Sequence, residues 1–271
     1  MSPDAIAAAF RAACHAELQA LKPGNVHIHA AGHGMTIADF EASAAVAAPH
    51  IAEPGARVGT RILGAVAATR EAVGQNTNLG IVLLAAPLAA AAERGAEAGP
   101  RGAGLKSALQ IVLAGLDRED AALCFKAIAL ANPGGLGEAA EHDVRGGASV
   151  TLLEAMRAAA SRDRVAYQYA SGYADIFDTG LPIAADMPEA AAAIYWRFLT
   201  TIPDSHIARK YGLGRAESVR SLAQSVDAAG RDADSRASLL LDLDARLKAD
   251  GINPGTSADL TVASLFAHHL M

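Results

Sequence analysis

The sequence predicts an all-α fold, a single multi-helix bundle of about a dozen helices spread over residues 1–271. Three observations carry this. Helix-start signals recur from end to end, and no run of four to eight residues alternates apolar and polar positions with β-branched enrichment. Apolar residues make up 52% of the chain but aromatics only 4%, so alanine and leucine must build the core. Alanine adds little bulk and loses no side-chain entropy in a helix, which favours many closely packed thin helices.

Taken in order, Ser2 followed by Pro3 is an N-cap with proline at the first helical position, opening a helix to about Leu21. Thr36-Ile37-Ala38-Asp39 reads as a capping box with Asp in the usual Glu place. Ile81 to Ala92 is the most apolar run. It is about half the length a bilayer requires and is interrupted by Pro87, which predicts a buried helix and no membrane span. Asp117-Arg118-Glu119-Asp120 and Thr151-Leu152-Leu153-Glu154 repeat the capping device. Asp186-Met187-Pro188-Glu189 opens a helix towards Thr201, and Ser235 opens one that Gly251 ends. Gly95 to Gly104 and Asn132 to Gly147 are glycine-rich irregular stretches of the kind that tends to be functional. No internal repeat is present, against a solenoid.

A net charge of −6 with no extended basic tract argues against nucleic acid as a partner. It leaves room for a small phosphate ligand, which needs only a few local cations and free backbone N–H groups. Cys14 and Cys124 lie in apolar helical contexts and read as buried reduced thiols. Met1-Ser2-Pro3-Asp4 lacks the basic start of a signal peptide, so a cytoplasmic location is expected, and homo-oligomerisation is left open.

Polar residues gather in five places. The first combines Glu17 with Lys22-Pro23-Gly24-Asn25-Val26-His27-Ile28-His29 and Gly32-His33-Gly34. Its histidines invite a zinc reading, but no carboxylate lies close in sequence, and hydrogen-bonding roles in a loop are favoured. The second, Gln75-Asn76-Thr77-Asn78-Leu79-Gly80, leads into the apolar helix. One cap needs one residue; three polar residues before a buried helix suggest an anion site on its free N–H groups. The third runs from Asn132 through Gly137-Glu138 to Glu141-His142-Asp143, a glycine loop with acids suited to a metal or a general base. The fourth is Asp204-Ser205-His206-Ile207-Ala208-Arg209-Lys210. With Asp204 as cap, His206 and Lys210 share a face, and the set suits Mg²⁺-phosphate binding. In the fifth, Ile252-Asn253-Pro254-Gly255-Thr256-Ser257-Ala258-Asp259-Leu260, Gly255 turns the chain, Thr256 or Ser257 caps the terminal helix and Asp259 falls in its first turn.

In this order the motifs Lys22-Pro23-Gly24, Asn76-Thr77-Asn78-Leu79-Gly80, Gly137-Glu138-Ala139, Asp204 to Lys210 and Pro254 to Leu260 resemble the triphosphoribosyl-dephospho-CoA synthase family, from about residue 14 to 266. The resemblance implies an all-α transferase that joins ATP, as substrate, to dephospho-CoA with release of adenine, through an oxocarbenium-like state at the ribose C1′. It implies Glu138, Asp204 and Asp259 as catalytic acids, and Mg²⁺ on Asp204, Glu138 and Asp143. Lys22, Gly24, Asn25, His33, Asn76, Thr77, Asn78, Gly80, Ser205, His206, Arg209, Lys210, Gly255 and Ser257 would bind the nucleotide and coenzyme substrates. Two positions depart from the family pattern: Asn78-Leu79 stand where His-Lys is usual, and Gly34-Met35 where Asp-Met is usual. These forms look closer to a branch in methanogens and methylotrophs, for which one-carbon coenzyme assembly is an alternative role. A non-catalytic binding subunit is the third alternative.

Overall fold

The computed structural model describes residues 1–28, 30–95, 103–132, 149–186, 190–229 and 233–271. Among them the chain forms fourteen α-helices and one π-helical turn, with no strands. The helices are α1 (Pro3–Gln19), α2 (Ile37–Ile51), α3 (Val58–Val73), α4 (Leu79–Glu93), α5 (Ala103–Ala114), α6 (Arg118–Ala131) and α7 (Leu152–Ala159). They continue as α8 (Arg164–Ser171), α9 (Leu181–Asp186), α10 (Ala190–Thr201), α11 (Ser205–Tyr211), α12 (Leu213–Ala229), α13 (Ala233–Ala249) and α14 (Gly255–His269), the π-helical turn being Ile176–Gly180.

The local signals act as expected. Ser2 caps α1, and complete capping boxes start α2 at Thr36, α6 at Asp117 and α7 at Thr151. Helix α1 stops at Gln19, short of the expected Leu21, where Ala20 turns extended with ψ 139°. Ser235 opens no helix: α13 is already helical at Ala233, and it ends before Gly251, whose φ of +69° reverses the chain. The expected start at 186–189 lies largely outside the described residues, but the helix it leads into does end at Thr201.

Helix α4 is buried on every face and is the central element of the main core. Pro87 within it has no N–H to give to the carbonyl of Leu83. The Tyr169 hydroxyl donates to that carbonyl at 2.6 Å, and the Tyr173 hydroxyl donates to Leu84 O at 3.1 Å. Tyr169 thus supplies the hydrogen bond that Pro87 cannot. Phe10 of α1 and Phe266 of α14 meet edge to face, with centroids 5.7 Å apart. No helix among the described residues is long and apolar enough to cross a membrane.

A second, smaller apolar cluster joins α10, α11, α12 and α13 through Tyr195, Leu199, Ile207, Val219 and Leu247. Helix α14 gives Ala258 to this cluster and Leu260 to the main one, so its first turns lie at the seam between the two.

Candidate active site

The loop after α1 is pinned from below. Lys22, fully buried, pairs with the Glu17 carboxylate and donates to Asn25 Oδ1 at 2.9 Å; Asn25 donates in turn to Asn253 Oδ1 at 2.8 Å. Burial pushes the Glu17 carboxyl up and the Lys22 ammonium down, each partly offset by the attraction of the other. Tyr195 OH donates to Pro23 O at 2.7 Å. Gly24 has φ +85°, and a β-carbon there would meet Pro254 Cδ at 2.9 Å, so only glycine fits. Its amide donates to Asp244 Oδ1 at 2.8 Å, and its carbonyl lies 2.8 Å from His33 Nε2. His27 is buried against Asp244, 3.3 Å from its Oδ2. Both described histidines of the loop serve hydrogen bonding, as expected; His29 lies outside the described residues. Among the described residues no group of three histidine, cysteine or acidic side chains could hold a metal.

Asp204 caps two helices at once. Its Oδ1 accepts from the amides of His206 at 2.9 Å and Ile207 at 3.2 Å, opening α11. Its Oδ2 accepts from the amide and hydroxyl of Ser257 at 2.8 and 2.9 Å, inside the first turn of α14. A carboxylate offers about four lone-pair directions, and all are taken by protein donors. Asp204 therefore has no acceptor to spare for a cation in this arrangement. Desolvation raises its pKa, and these four donors pull it back. Helix α14 starts at Gly255, earlier than a Thr256 or Ser257 cap would set it. Thr256 Oγ1 and Ser257 Oγ are instead engaged with Ser205, His206 N and Asp204, and Asp259 falls one turn further in.

Asp259 is the acidic side chain in this cluster that accepts no hydrogen bond among the described residues. Its carboxylate rests in the notch left by Gly80, where a β-carbon would sit 2.5 Å from Asp259 Cγ. Burial first, then the charges of Asp204 and Glu17, push its pKa well above the ordinary carboxylate range; Arg209 opposes them. The start of α4 lies beside it. Asn76 Oδ1 accepts from Leu79 N at 3.1 Å, Thr77 shares a 2.6 Å hydrogen bond with Ser43 of α2, and Asn78 donates to Thr69 at 3.1 Å. On the other side stands a cationic group. The ring of His206 lies against Gly255, and burial with Arg209, Lys210 and His33 lowers its pKa to about 4. Arg209 reaches Asp163 at 3.3 Å, and exposed Lys210 places its ammonium 5.2 Å over the Tyr211 ring.

The structure thus gathers Lys22, Gly24, Asn25, His33, Gly80, Asp204, Ser205, His206, Arg209, Gly255, Ser257 and Asp259 at one end of the bundle. Glu138 and Asp143 lie outside the described residues. Asp244 carries no signal in the sequence, because it meets the cluster only through the packing of α13; Asn253 and Glu17 fall within the polar groups of the sequence, but neither has a role assigned to it there. A small pocket between α1, α2 and α4, lined by Cys14, Glu17, Leu18, Phe40, Ala44, Asn78 and Ile81, adjoins the cluster through Glu17 and Asn78. A wider groove near Arg57 and Ile111 belongs to the opposite end of α4 and touches none of these residues. Both thiols are buried as expected, Cys124 with its pKa pushed up to about 12 by desolvation.

A solved structure from Archaeoglobus fulgidus, described as a candidate triphosphoribosyl-dephospho-CoA synthase, superposes with a TM-score of 0.67 at 24% identity, covering 85% of this chain and 97% of that one. At that identity the likeness speaks to the fold. A search of curated proteins found no match. Residues 3–271 match the sequence profile of the CitG family, described as ATP:dephospho-CoA triphosphoribosyl transferase, and the chain belongs to that family of transferases.

Proposed function

We propose that this chain, as a member of that family, transfers the triphosphoribosyl group of ATP to the 2′-hydroxyl of 3′-dephospho-CoA, with Asp259 as the working carboxylate. In this reaction the bond from ribose C1′ to adenine N9 breaks and a new bond forms from C1′ to the acceptor oxygen. The acceptor hydroxyl loses its proton and the departing adenine takes one up, so the reaction is balanced without a further reactant. Positive charge grows on C1′ as adenine leaves, and a nearby carboxylate steadies it.

The observation that carries the assignment is the Asp259 carboxylate, unbonded among the described residues and seated against Gly80 beside the start of α4. A pKa raised by burial makes it a stronger base than an ordinary carboxylate, as acceptance of the hydroxyl proton requires. Arg209, His206, Lys210 and His33 form the side on which triphosphate oxygens would rest, supported by the α4 N-terminus and its favourable dipole. Asp204 is a positioning residue in this proposal, because it fixes α11 and α14 relative to each other. Mg²⁺, if used, would be held largely by phosphate oxygens, as it usually is, with Glu138 and Asp143 as the acids the motif supplies; it would neutralise phosphate charge.

The test is adenine release from ATP, Mg²⁺ and dephospho-CoA, followed by chromatography. Asp259→Asn should lower kcat by about 10²–10⁴-fold, the usual range for loss of a general base. Wild-type turnover in that variant would remove Asp259 from the chemistry. Absence of dephospho-CoA-dependent adenine release in the wild type would overturn the substrate.

A further inference from the structure

The first loop holds its place through α13, a helix whose own sequence carries none of the motif residues. Asp244 Oδ1 accepts the Gly24 amide at 2.8 Å, a contact spanning 220 residues of sequence. Its other oxygen takes Lys248 Nζ at 3.0 Å and lies 3.3 Å from His27 Nε2. Lys248 reaches on to Ala30 O at 3.2 Å and lies 3.3 Å from His27 Nε2. Leu247, between these two polar residues, closes over Gly24: a β-carbon there would meet Leu247 Cβ at 3.0 Å. One turn of α13 therefore grips both ends of the segment from Gly24 to Ala30.

The grip has a direction. The peptide groups of Gly24 point opposite ways, the amide to Asp244 and the carbonyl to the His33 ring at 2.8 Å. His33 has φ +57°, a left-handed conformation that a non-glycine residue holds only when its surroundings fix it. Burial, then Arg209, Lys210 and His33, lower the His206 pKa. A line of hydrogen bonds runs from Asp244 through Gly24 to His33. Asp244 is 5% exposed, and its pKa lies below the ordinary carboxylate value because the donors from His27, Gly24 and Lys248 outweigh its desolvation.

We infer that Asp244 is a positioning residue for the nucleotide: it sets the Gly24–His33 loop, and through it the cationic wall against which the triphosphate lies. Asp244 does not reach the reacting atoms. Its removal acts on nucleotide binding because His33 and the loop lose their fixed place while Asp259 and Gly80 keep theirs. The inference rests on the functional reading above.

The experiment compares Asp244→Asn and Asp244→Ala in the full chain, by adenine-release kinetics with ATP varied at saturating dephospho-CoA, and by amide hydrogen exchange at Gly24. Asn keeps an oxygen for the Gly24 amide, so its KM for ATP should stay within about threefold of wild type. Ala keeps none, and its KM should rise about tenfold or more, with Gly24 exchanging at least tenfold faster. A residue that merely supports the fold would lower Tm and the active fraction alike in both variants with KM unmoved, and that result overturns the inference. If Asp244→Ala does not fold, Asp244→Ser serves instead, because its shorter side chain leaves the Gly24 amide without its acceptor while keeping a polar group there; an unchanged KM and unchanged Gly24 exchange there would equally overturn it. A wild-type protein that releases no adenine defeats the functional reading alone, since the exchange comparison still reports whether Asp244 holds the loop.

Discussion

Gly80→Ala separates site geometry from stability more cleanly than any other single change. The added β-carbon would sit 2.5 Å from Asp259 Cγ, where ordinary carbon contacts lie near 3.5 Å, so the carboxylate must retreat by about 1 Å. The obstructing atoms are the end of one short side chain and not backbone. Relief is therefore local, at the lower end of the about 1–3 kcal/mol that overpacking costs. Against this, replacing a helical glycine by alanine gains roughly 0.5–1 kcal/mol. The two terms nearly cancel, and stability should change by less than about 2 kcal/mol. Catalysis has no such compensation. A displacement of about 1 Å in a reacting group can cost about 10²-fold in rate. Urea denaturation and adenine-release kinetics on the same preparation read both quantities. A variant that keeps kcat within about threefold while losing stability would show that Gly80 is a packing residue and that Asp259 does no chemistry.

Three further outcomes follow from particular contacts. Asp204→Asn should destabilise the protein by about 1–3 kcal/mol in denaturant unfolding, because an amide NH₂ must then face one of two donor pairs that both need an acceptor; unchanged stability would mean the double cap is not formed. His206 is held neutral, with its pKa at about 4 against an ordinary 6.5, so the unfolded chain binds its proton first as pH falls. Its contribution to stability is present above pH 6.5 and is lost between there and about 4, at a slope of roughly 1.4 kcal/mol per pH unit. His206→Asn should flatten the stability curve over that window by about one proton's worth, and an unaltered slope would refute the burial argument. Tyr169→Phe should cost about 1–3 kcal/mol by leaving Leu83 O unsatisfied, and distinctly less in a Pro87→Ala background, where residue 87 regains an N–H. Equal costs in the two backgrounds would show that the hydroxyl is not standing in for that N–H.

The sequence alone determined the helices and much of their order. Capping is a hydrogen bond from a side chain to an amide two or three residues on, so Ser2, Thr36, Asp117 and Thr151 announced their helices without help from the rest of the chain. Apolarity on every face likewise marked Ile81 to Ala92 as a buried helix. The motif order also placed the chain in its family, since motifs are strings of adjacent residues. What each motif residue does was another matter. Asp204 looked free to hold a cation because its second partner, Ser257, lies 53 residues away. Lys22 looked like a phosphate ligand, yet folding sealed its ammonium against Glu17 and Asn25. Asp259 looked like one acid among three, and only the packing of α14 on α4 brought its carboxylate into the notch of Gly80. Asp244 carried no signal at all until α13 closed over Gly24. The physical reason is common to these cases: hydrogen bonds within a turn are fixed by spacing along the chain, whereas a side chain's remaining lone pairs and its exposure are fixed by which helices come to lie beside it.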